Sequence, residues 1–128
     1  MPPKADPRAA RGRRAERLAT RHLRRQGYRI EARNWACRVG ELDIVASRGD
    51  LLVFVEVRSA TTAWLASPAE TVDLGKQTRV ARAADAYLQQ RATPALRIRF
   101  DVMALRLGPW WRYELQHIED AFTASWSF

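Results

Sequence analysis

Two carboxylates, Asp43 and Glu56, interrupt apolar segments that alternate like β-strands: residues 40–46 (GELDIVA) and 52–58 (LVFVEVR). Gly49-Asp50 between them is typical of a two-residue hairpin turn, which would pair residues whose numbers sum to 99. Asp43 would then face Glu56 with their Cβ atoms about 5 Å apart, an unfavourable arrangement for like charges. Buried carboxylates are tolerated when a cation neutralises them, and Mg²⁺ is typically bound by one or two. The spacing therefore indicates a metal site on a sheet.

The hairpin has a second interpretation. A three-residue loop would shift the register by one residue and send Asp43 and Glu56 to opposite faces of the sheet. One carboxylate would then be solvated at an edge while the other pairs with an arginine. The spacing alone leaves both arrangements open.

Glu56 and Arg58 are two residues apart, so they share one face of their strand. Hydrolysis of a phosphodiester needs a carboxylate-held metal to activate water and a fixed cation near the charge that develops on phosphorus. An acid on one strand, with an acid and a base on its hairpin partner, supplies these groups. The pattern is typical of metal-dependent phosphodiester hydrolysis.

The net charge of +8 is concentrated at the N-terminus. Residues 1–33 contain eleven Lys and Arg against three acids, whereas the remaining residues are neutral overall. A concentrated basic element suits a phosphate backbone, and its binding should depend strongly on salt. Arg13, Arg14 and Arg17 are the candidate contacts. The alternative is an arginine-rich terminus that only increases solubility.

Composition restricts the class of protein. A chain of 128 residues is most simply one domain, 1–128. It lacks an apolar run of the roughly 18 residues needed to span a bilayer, and its basic N-terminus is not followed by the apolar stretch of a secretory signal. We therefore expect a cytoplasmic protein with no membrane partner. Cys37 is the only cysteine, which excludes an internal disulfide and a cysteine-based zinc site.

The first element is predicted to be a helix from Pro7 to about Gln26, after a disordered lead (residues 1–6) and before Gly27. Glu16 lies at the edge of its apolar face. Glu16 either pairs with the surrounding arginines or points into the same site as Asp43. The apolar stripe of this helix is formed by Ala15, Leu18, Ala19, His22 and Leu23.

The remaining elements predict a central mixed β-sheet flanked by helices, in the order α-β-β-β-α-β-β. A short strand at 28–33 and a loop at 34–39 precede the 41–58 hairpin. A loop at 59–68 carries Trp64, which either stacks on a base or covers a core edge. A second helix runs from residue 69 or 74 to 91, and strands follow at 95–107 and 111–118. The fold class is α/β, with one domain.

Three other polar residues have structural interpretations. Asp101 lies near Arg97 and Arg99 and is expected to form a salt bridge. His22, on the apolar helix stripe, and His117, in the last strand, are expected to be structural rather than metal ligands.

The chain resembles the YraN family of small bacterial proteins, within the PD-(D/E)-x-K nuclease superfamily that includes archaeal Holliday-junction resolvases. The resemblance extends over nearly the whole chain after residue 10, and the GELD and VFVEV blocks are its most specific part. The matching stretches are Glu16, Gly27-Tyr28, Asn34, 40–46, 52–58, Lys76, 83–88 (AADAYL), 99–102 (RFDV), His117-Ile118 and Ala121-Phe122.

This resemblance implies a restriction-endonuclease-like core and a site for Mg²⁺ or Mn²⁺. Asp43 and Glu56 would be metal ligands, with the backbone carbonyl of Val57 as a further ligand. Glu16 would be an outer acid from the first helix. Lys76 would contact phosphate, with Gln77 as a weaker candidate. The resemblance also favours the register that places Asp43 and Glu56 on one face.

One position departs from the superfamily pattern, which ends in lysine where this chain has Arg58. Arginine keeps its charge at any working pH and can clamp phosphate, but it does not readily release a proton to activate water. Lys76 is a candidate to compensate. Arg58 thus leaves two hypotheses, an active nuclease and a nuclease fold retained only for binding nucleic acid.

The predicted function is a metal-dependent endonuclease acting on DNA, on branched or damaged structures in particular. DNA is favoured over RNA, and a homodimer is expected by analogy with relatives that cut two strands. The first alternative is a non-catalytic nucleic-acid-binding module. A second is a protein-interaction factor whose basic arm contacts RNA or a ribosomal surface.

Overall fold

The computed structural model describes residues 7–60, 74–95 and 97–123. The predicted lead at 1–6, the loop around Trp64 and residues 69–73 lie outside these ranges, as does the chain after residue 123. Two helices and five strands follow in the predicted order. They are α1 (Pro7–Arg25), β1 (Arg29–Cys37), β2 (Gly40–Arg48), β3 (Leu51–Ala60), α2 (Leu74–Gln90), β4 (Arg97–Leu107) and β5 (Tyr113–Ile118).

The five strands form one mixed sheet in the order β1-β2-β3-β4-β5. Neighbouring strands are antiparallel except β3 and β4, which are parallel. Parallel neighbours need a crossover, and α2 lies in the segment that connects them. The sheet and its two helices have the mixed α/β arrangement that the sequence predicts.

Each helix covers one face of the sheet. On one face, Ala15, Ala19 and Leu23 of α1 pack with apolar residues of β2, β3 and β4. On the other face, Val80 and Tyr87 of α2 pack in a second core cluster. The alternation along β3 divides its residues between these two layers, so that its side chains are buried on both sides.

The hairpin confirms the predicted register. Its pairs run from Arg48↔Leu51 to Ile44↔Val55, and the numbers in each pair sum to 99. The turn is the two residues Gly49-Asp50, and the φ of 61° at Gly49 is a left-handed value that glycine adopts without strain. The three-residue alternative is therefore excluded.

The prediction that β1 ends near residue 33 is wrong. The strand continues to Cys37, which pairs with Gly40 across a short turn. Asn34, assigned to a loop, interrupts the strand locally with a φ of 50°. Asparagine tolerates this left-handed conformation better than most residues, so the strand resumes beyond it.

Asp101 is fully buried and forms the predicted structural salt bridge. Arg99 Nε lies 2.8 Å from one carboxylate oxygen, and His117 Nε2 lies 2.7 Å from the other. Burial raises the pKa of Asp101, but hydrogen bonds from His117, Arg99 and the backbone of Asp120 outweigh it and hold the pKa below its usual range. Arg97 pairs instead with Asp50.

The histidine of the salt bridge also contacts α1. His22 meets the His117 ring edge to face, with centroids 5.9 Å apart. Both histidines therefore belong to packing between α1 and the sheet. Neither α1 nor α2, the helices of the described residues, is long and apolar enough to cross a membrane.

Candidate functional site

The candidate site lies where β2 and β3 separate. Their ladder ends at Ile44↔Val55, one position before Asp43 and Glu56. Beyond that pair, the Asp43 carboxylate accepts a hydrogen bond from the backbone N–H of Val57, at 2.9 Å. The side chain thus takes the place of a backbone partner. The split between the strands leaves an opening with one carboxylate on each side.

Glu56 is an unusually buried acid, with only 3% of its surface exposed. Burial raises its pKa to about 7, and the negative charge of Asp43 adds to the effect while Lys76 opposes it. The positive charge of the protein alone therefore does not fully compensate the ionised carboxylate of Glu56. A bound cation would favour the ionised form.

Lys76 of α2 contacts the Glu56 carboxylate. Its Nζ atom lies 3.3 Å from Glu56 Oε2, and its side chain is 31% exposed. Lys76 is the third residue of α2, so the positive end of the helix dipole is close as well. The ammonium group contacts Glu56 while part of the side chain still faces solvent.

The opening is a cavity of about 340 Å³. A water molecule occupies roughly 30 Å³ in the liquid, so the cavity has room for a hydrated ion. Its walls come from β2, β3 and the first two turns of α2, which are the elements that carry the two carboxylates and the lysine. The lining residues are Gly40, Glu41, Asp43, Glu56, Lys76, Arg79 and Val80.

α1 brings Glu16 into electrostatic contact with the site from the opposite face of the sheet. Burial raises the pKa of Glu16, and the charge of Asp43 raises it further. The charge of Arg33 and a hydrogen bond with Asn34 lower this pKa but do not cancel the increase. Glu16 Oε1 is buried and accepts no hydrogen bond within the described residues. Such an atom is costly unless a ligand, ion or water satisfies it.

The donor set fits a hard divalent cation. Asp43 and Glu56 supply carboxylate oxygens. The N–H and C=O of one strand residue point to the same side of the strand. Because the Val57 N–H points to Asp43, the Val57 carbonyl also points towards β2. Among the described residues, no group of three or more His, Cys, Asp or Glu side chains is close enough to hold a metal ion. Mg²⁺ needs only one or two carboxylates because it keeps several waters.

The other predicted site residues lie on β3, α2 and α1, and none of them lines this cavity. Arg58 is half-buried and follows Glu56 on the same face of β3, whereas Gln77 follows Lys76 on α2 and is half-buried. Arg13 and Arg17 are exposed on α1. Arg14 donates hydrogen bonds to the carbonyl oxygens of the β4–β5 loop. None of Arg13, Arg14 and Arg17 lines the cavity with the carboxylates.

Sequence reasoning did not assign a function to Gly40, Asn34 or Arg79. A Cβ on Gly40 would lie 2.7 Å from the backbone oxygen of Arg79, so glycine lets α2 approach β2 at the cavity. Asn34 occupies the β1 position next to Asp43, between the pairs Arg33↔Ile44 and Trp35↔Leu42. The available signals were the glycine at the start of GELD and an asparagine interrupting a strand.

Comparison with known proteins agrees with the resemblance. Residues 15–105 match the model of the uncharacterised protein family UPF0102. A UPF0102 protein of Myxococcus xanthus is 44% identical over 113 residues, which cover 88% of this chain and 89% of that protein. One from Chlorobaculum tepidum is 42% identical over 87% of this chain and 90% of that protein. One from Pseudomonas aeruginosa is 47% identical over 73% and 76%, respectively.

Proposed function

The chain belongs to the uncharacterised protein family UPF0102. We propose its function from its own site: an endonuclease-like protein that uses Mg²⁺ or Mn²⁺ to cleave DNA, including branched or damaged structures. The observation that carries the proposal is the convergence of Asp43, buried Glu56 and Lys76 on one cavity. Two carboxylates and a cation are the groups that phosphodiester hydrolysis requires.

Asp43, Glu56 and the Val57 carbonyl would hold the metal. When bound, the ion would act as a Lewis acid on the phosphate and lower the pKa of a coordinated water. Asp43 is already oriented by the N–H of Val57, which fixes its carboxylate at the mouth of the split. Glu56 is fixed by its burial. The ligands therefore need little rearrangement before the cation binds.

Lys76 is the residue best placed to interact with the phosphate. Its ammonium now rests on Glu56, and a cation bound between the carboxylates would compete for that oxygen. The released ammonium would then be close to a phosphate in the cavity and could stabilise charge on its oxygens. Arg58, on the same face of β3, would add a permanent positive charge. Glu16, whose ionisation is coupled to the charge of Asp43, would be the outer acid of the site.

The exposed arginines of α1 support DNA as the substrate. Arg13 and Arg17 face solvent on a helix whose basic residues account for most of the chain's net charge. Contacts of this kind position a phosphate backbone without reading its sequence, and they release counterions. We expect affinity for DNA to fall steeply with salt concentration.

A non-catalytic nucleic-acid-binding module is the second candidate function. Arg58 favours it, because arginine cannot replace the superfamily lysine as a proton acceptor. In such a module the cavity would bind a phosphate or a cation without hydrolysis. Binding to DNA would then be salt-sensitive but independent of Mg²⁺.

The test is a cleavage assay on duplex, nicked, branched and single-stranded DNA, with RNA in parallel, in Mg²⁺ and in Mn²⁺. The proposal expects cleavage by the natural chain and at least a hundredfold loss with Asp43→Asn, as for removal of other electrostatic groups in active sites. Asp85→Asn is the matched control, because Asp85 is exposed on α2, accepts a hydrogen bond from Gln89 and does not line the cavity. Equal cleavage by Asp43→Asn and the control would refute the catalytic assignment.

A further inference from the structure

A second, larger cavity lies on the outer side of α1, away from the carboxylates. Its volume is about 630 Å³, and it is bounded by basic residues of α1 and by the loop between β4 and β5. Of the described residues that line it, five are arginines, three are aromatic and none is acidic. We call it the Trp–Arg groove after its principal residues, Arg14, Arg17, Arg21, Arg24, Trp110 and Trp111.

The two tryptophans of the groove are almost fully exposed. Trp110 has 84% of its surface accessible and Trp111 has 79%, which makes them the two most exposed aromatic residues described. Their rings meet at 68°, with centroids 6.2 Å apart. Adjacent exposed apolar rings of this size are unfavourable in water and are typical of a surface that binds a ligand.

The loop that carries these rings is tied down. Gly108 donates a backbone hydrogen bond to the Arg112 carbonyl at 2.9 Å, which closes the loop. Arg14 then donates to both the Gly108 and Arg112 carbonyl oxygens, at 3.1 and 3.0 Å. Trp110 adopts a φ of 62°, a left-handed value that is unusual for a bulky residue. The contacts between α1 and the loop therefore hold the backbone that carries the two indoles beside the basic helix.

The arginines give the groove a strong positive charge. Arg17, Arg21 and Arg24 follow at three- and four-residue spacing, so they form one exposed row along α1. A row of cations beside flat aromatic faces is complementary to a strand whose phosphates and bases alternate. Aromatic platforms combined with a basic track are the means by which proteins bind single-stranded nucleic acid.

We propose that the Trp–Arg groove binds unpaired nucleotides of a DNA strand, with Trp110 and Trp111 stacking on bases and the α1 arginines on phosphates. Stacking requires unpaired bases, because in a duplex each base face is covered by its neighbours. The inference rests on the proposed function in that it specifies the DNA substrate. It predicts a substrate with a single-stranded portion, such as a flap, gap or branch.

Arg33 lines the groove, and its charge also acts on Glu16, which is in turn affected by Asp43. None of the described residues lines both the groove and the cavity with the carboxylates. The groove is therefore a separate surface, which would bind an unpaired part of the substrate apart from the candidate metal site.

The experiment measures binding by fluorescence anisotropy, with EDTA present so that no cleavage takes place. The probes are a labelled oligothymidylate of about 20 nucleotides, longer than typical single-strand sites, a duplex of the same length and the corresponding RNA. The variants are Trp110→Ala and Trp111→Ala, with Trp110→Phe and Trp111→Phe as conservative counterparts. Val39→Ala is the control, because Val39 is an exposed apolar residue in the turn after β1.

Each Trp→Ala change is expected to weaken binding of the single strand by about 5- to 100-fold, the effect of losing one base stack. Each Trp→Phe change should retain most of the affinity, and binding of the duplex should change less than twofold. An equal loss for both probes would overturn the proposal, because it would indicate a structural effect of the loop. Unchanged binding of the oligothymidylate, or a loss seen only with the RNA probe, would overturn it as well.

The outcome is separable from that of the proposed function. The Trp110→Ala and Trp111→Ala variants should bind Mn²⁺ as tightly as the natural chain, since neither tryptophan lines the cavity with the carboxylates. If the protein binds metal but its tryptophan variants bind the oligothymidylate as tightly as the natural chain, only the single-strand proposal is overturned. Failure of metal binding with intact, tryptophan-dependent oligonucleotide binding would overturn only the nuclease proposal.

Discussion

Lys76 Nζ lies 3.3 Å from Glu56 Oε2, joining the first turn of α2 to the buried carboxylate of β3. The two residues are separated by twenty positions in the chain. β3 has Arg58 where the superfamily pattern has a lysine. The contact between Lys76 and Glu56 nevertheless brings a lysine to the two carboxylates, from α2. It also makes the site depend on how closely α2 packs on the sheet.

Lys76→Met should separate metal binding from catalysis. Removing the ammonium leaves Asp43 and Glu56 as a more negative pair, so affinity for Mn²⁺ should rise. Cleavage should nevertheless fall by about 100- to 1000-fold, because one charge-stabilising group is lost. Lys76→Arg keeps the charge and should retain the metal affinity of the natural chain. Metal titration and cleavage assays on both variants provide the measurement, and undiminished cleavage by Lys76→Met would contradict the assignment.

Glu56→Gln should stabilise the metal-free protein at high pH. Because the pKa of Glu56 is raised from 4.5 to about 7 in the folded chain, the folded state holds this proton more tightly than the unfolded state. Ionisation therefore costs stability as pH rises through this interval, by about 1–3 kcal/mol in total. We expect a higher Tm for Glu56→Gln at pH 8 in EDTA and little difference at pH 4. A lower Tm at pH 8 would show that Lys76 already compensates the charge.

Gly40→Ala should disturb the site through the position of α2. The added Cβ would meet the Arg79 backbone oxygen at 2.7 Å and Ala83 Cβ at 3.5 Å, so the helix must shift. Overpacking of this kind costs about 1–3 kcal/mol. We expect a lower Tm and weaker metal binding.

Gly12→Ala is the control for this substitution. Gly12 is in α1, and a Cβ there meets nothing within 4 Å. Alanine favours a helix over glycine by roughly 0.5–1 kcal/mol, so the Tm should rise. Thermal unfolding monitored by circular dichroism measures both changes. Equal shifts for the two variants would contradict the close-approach explanation.

Glu31 should make the fold sensitive to acid. Its carboxylate accepts two hydrogen bonds from Arg91, at 2.9 and 2.7 Å, and one from Tyr87 at 2.8 Å, linking β1 to α2. The Arg91 hydrogen bonds are the main cause that lowers its pKa to about 2 against the effect of burial. The stabilisation is therefore complete above pH 4.5 and is lost as pH falls towards 2.

Glu31→Gln should accordingly destabilise the protein by about 1–3 kcal/mol at pH 7, with the difference shrinking below pH 4. Glu114→Gln is the comparison, because Glu114 pairs with Arg106 at the surface with a 64% exposed side chain. Surface pairs contribute about 0–1 kcal/mol. Urea unfolding at a series of pH values distinguishes them, and a pH-independent effect at Glu31 would contradict the linkage.

The sequence predicts the hairpin well because a two-residue turn fixes its register. Gly49-Asp50 determines that Ile44 pairs with Val55, and Asp43 and Glu56 follow from that pairing. The helices were also predictable, since their apolar stripes recur at helical spacing. These are local signals, in which the relevant residues are close together in the chain.

The parts that sequence reasoning missed depend on contacts between distant segments. The ion pair between Lys76 and Glu56 follows from how α2 crosses the sheet, which no short-range pattern encodes. The exposure of Trp110 and Trp111 was missed because the last strand was predicted to begin at Trp111, whereas β5 begins at Tyr113 and both tryptophans lie in the loop before it. Asn34 was assigned to a loop because a left-handed residue inside a strand leaves no periodic signal.

The most direct test of the central claim is calorimetric titration of Mg²⁺ and Mn²⁺ into the natural chain, Asp43→Asn and the control Asp85→Asn, at moderate salt. The two carboxylates are proposed to hold the cation together, so the natural chain and Asp85→Asn should bind one metal ion with equal affinity. Asp43→Asn should bind at least tenfold more weakly. Equal binding by all three proteins, or no binding by any of them with and without DNA, would contradict a metal site between β2 and β3.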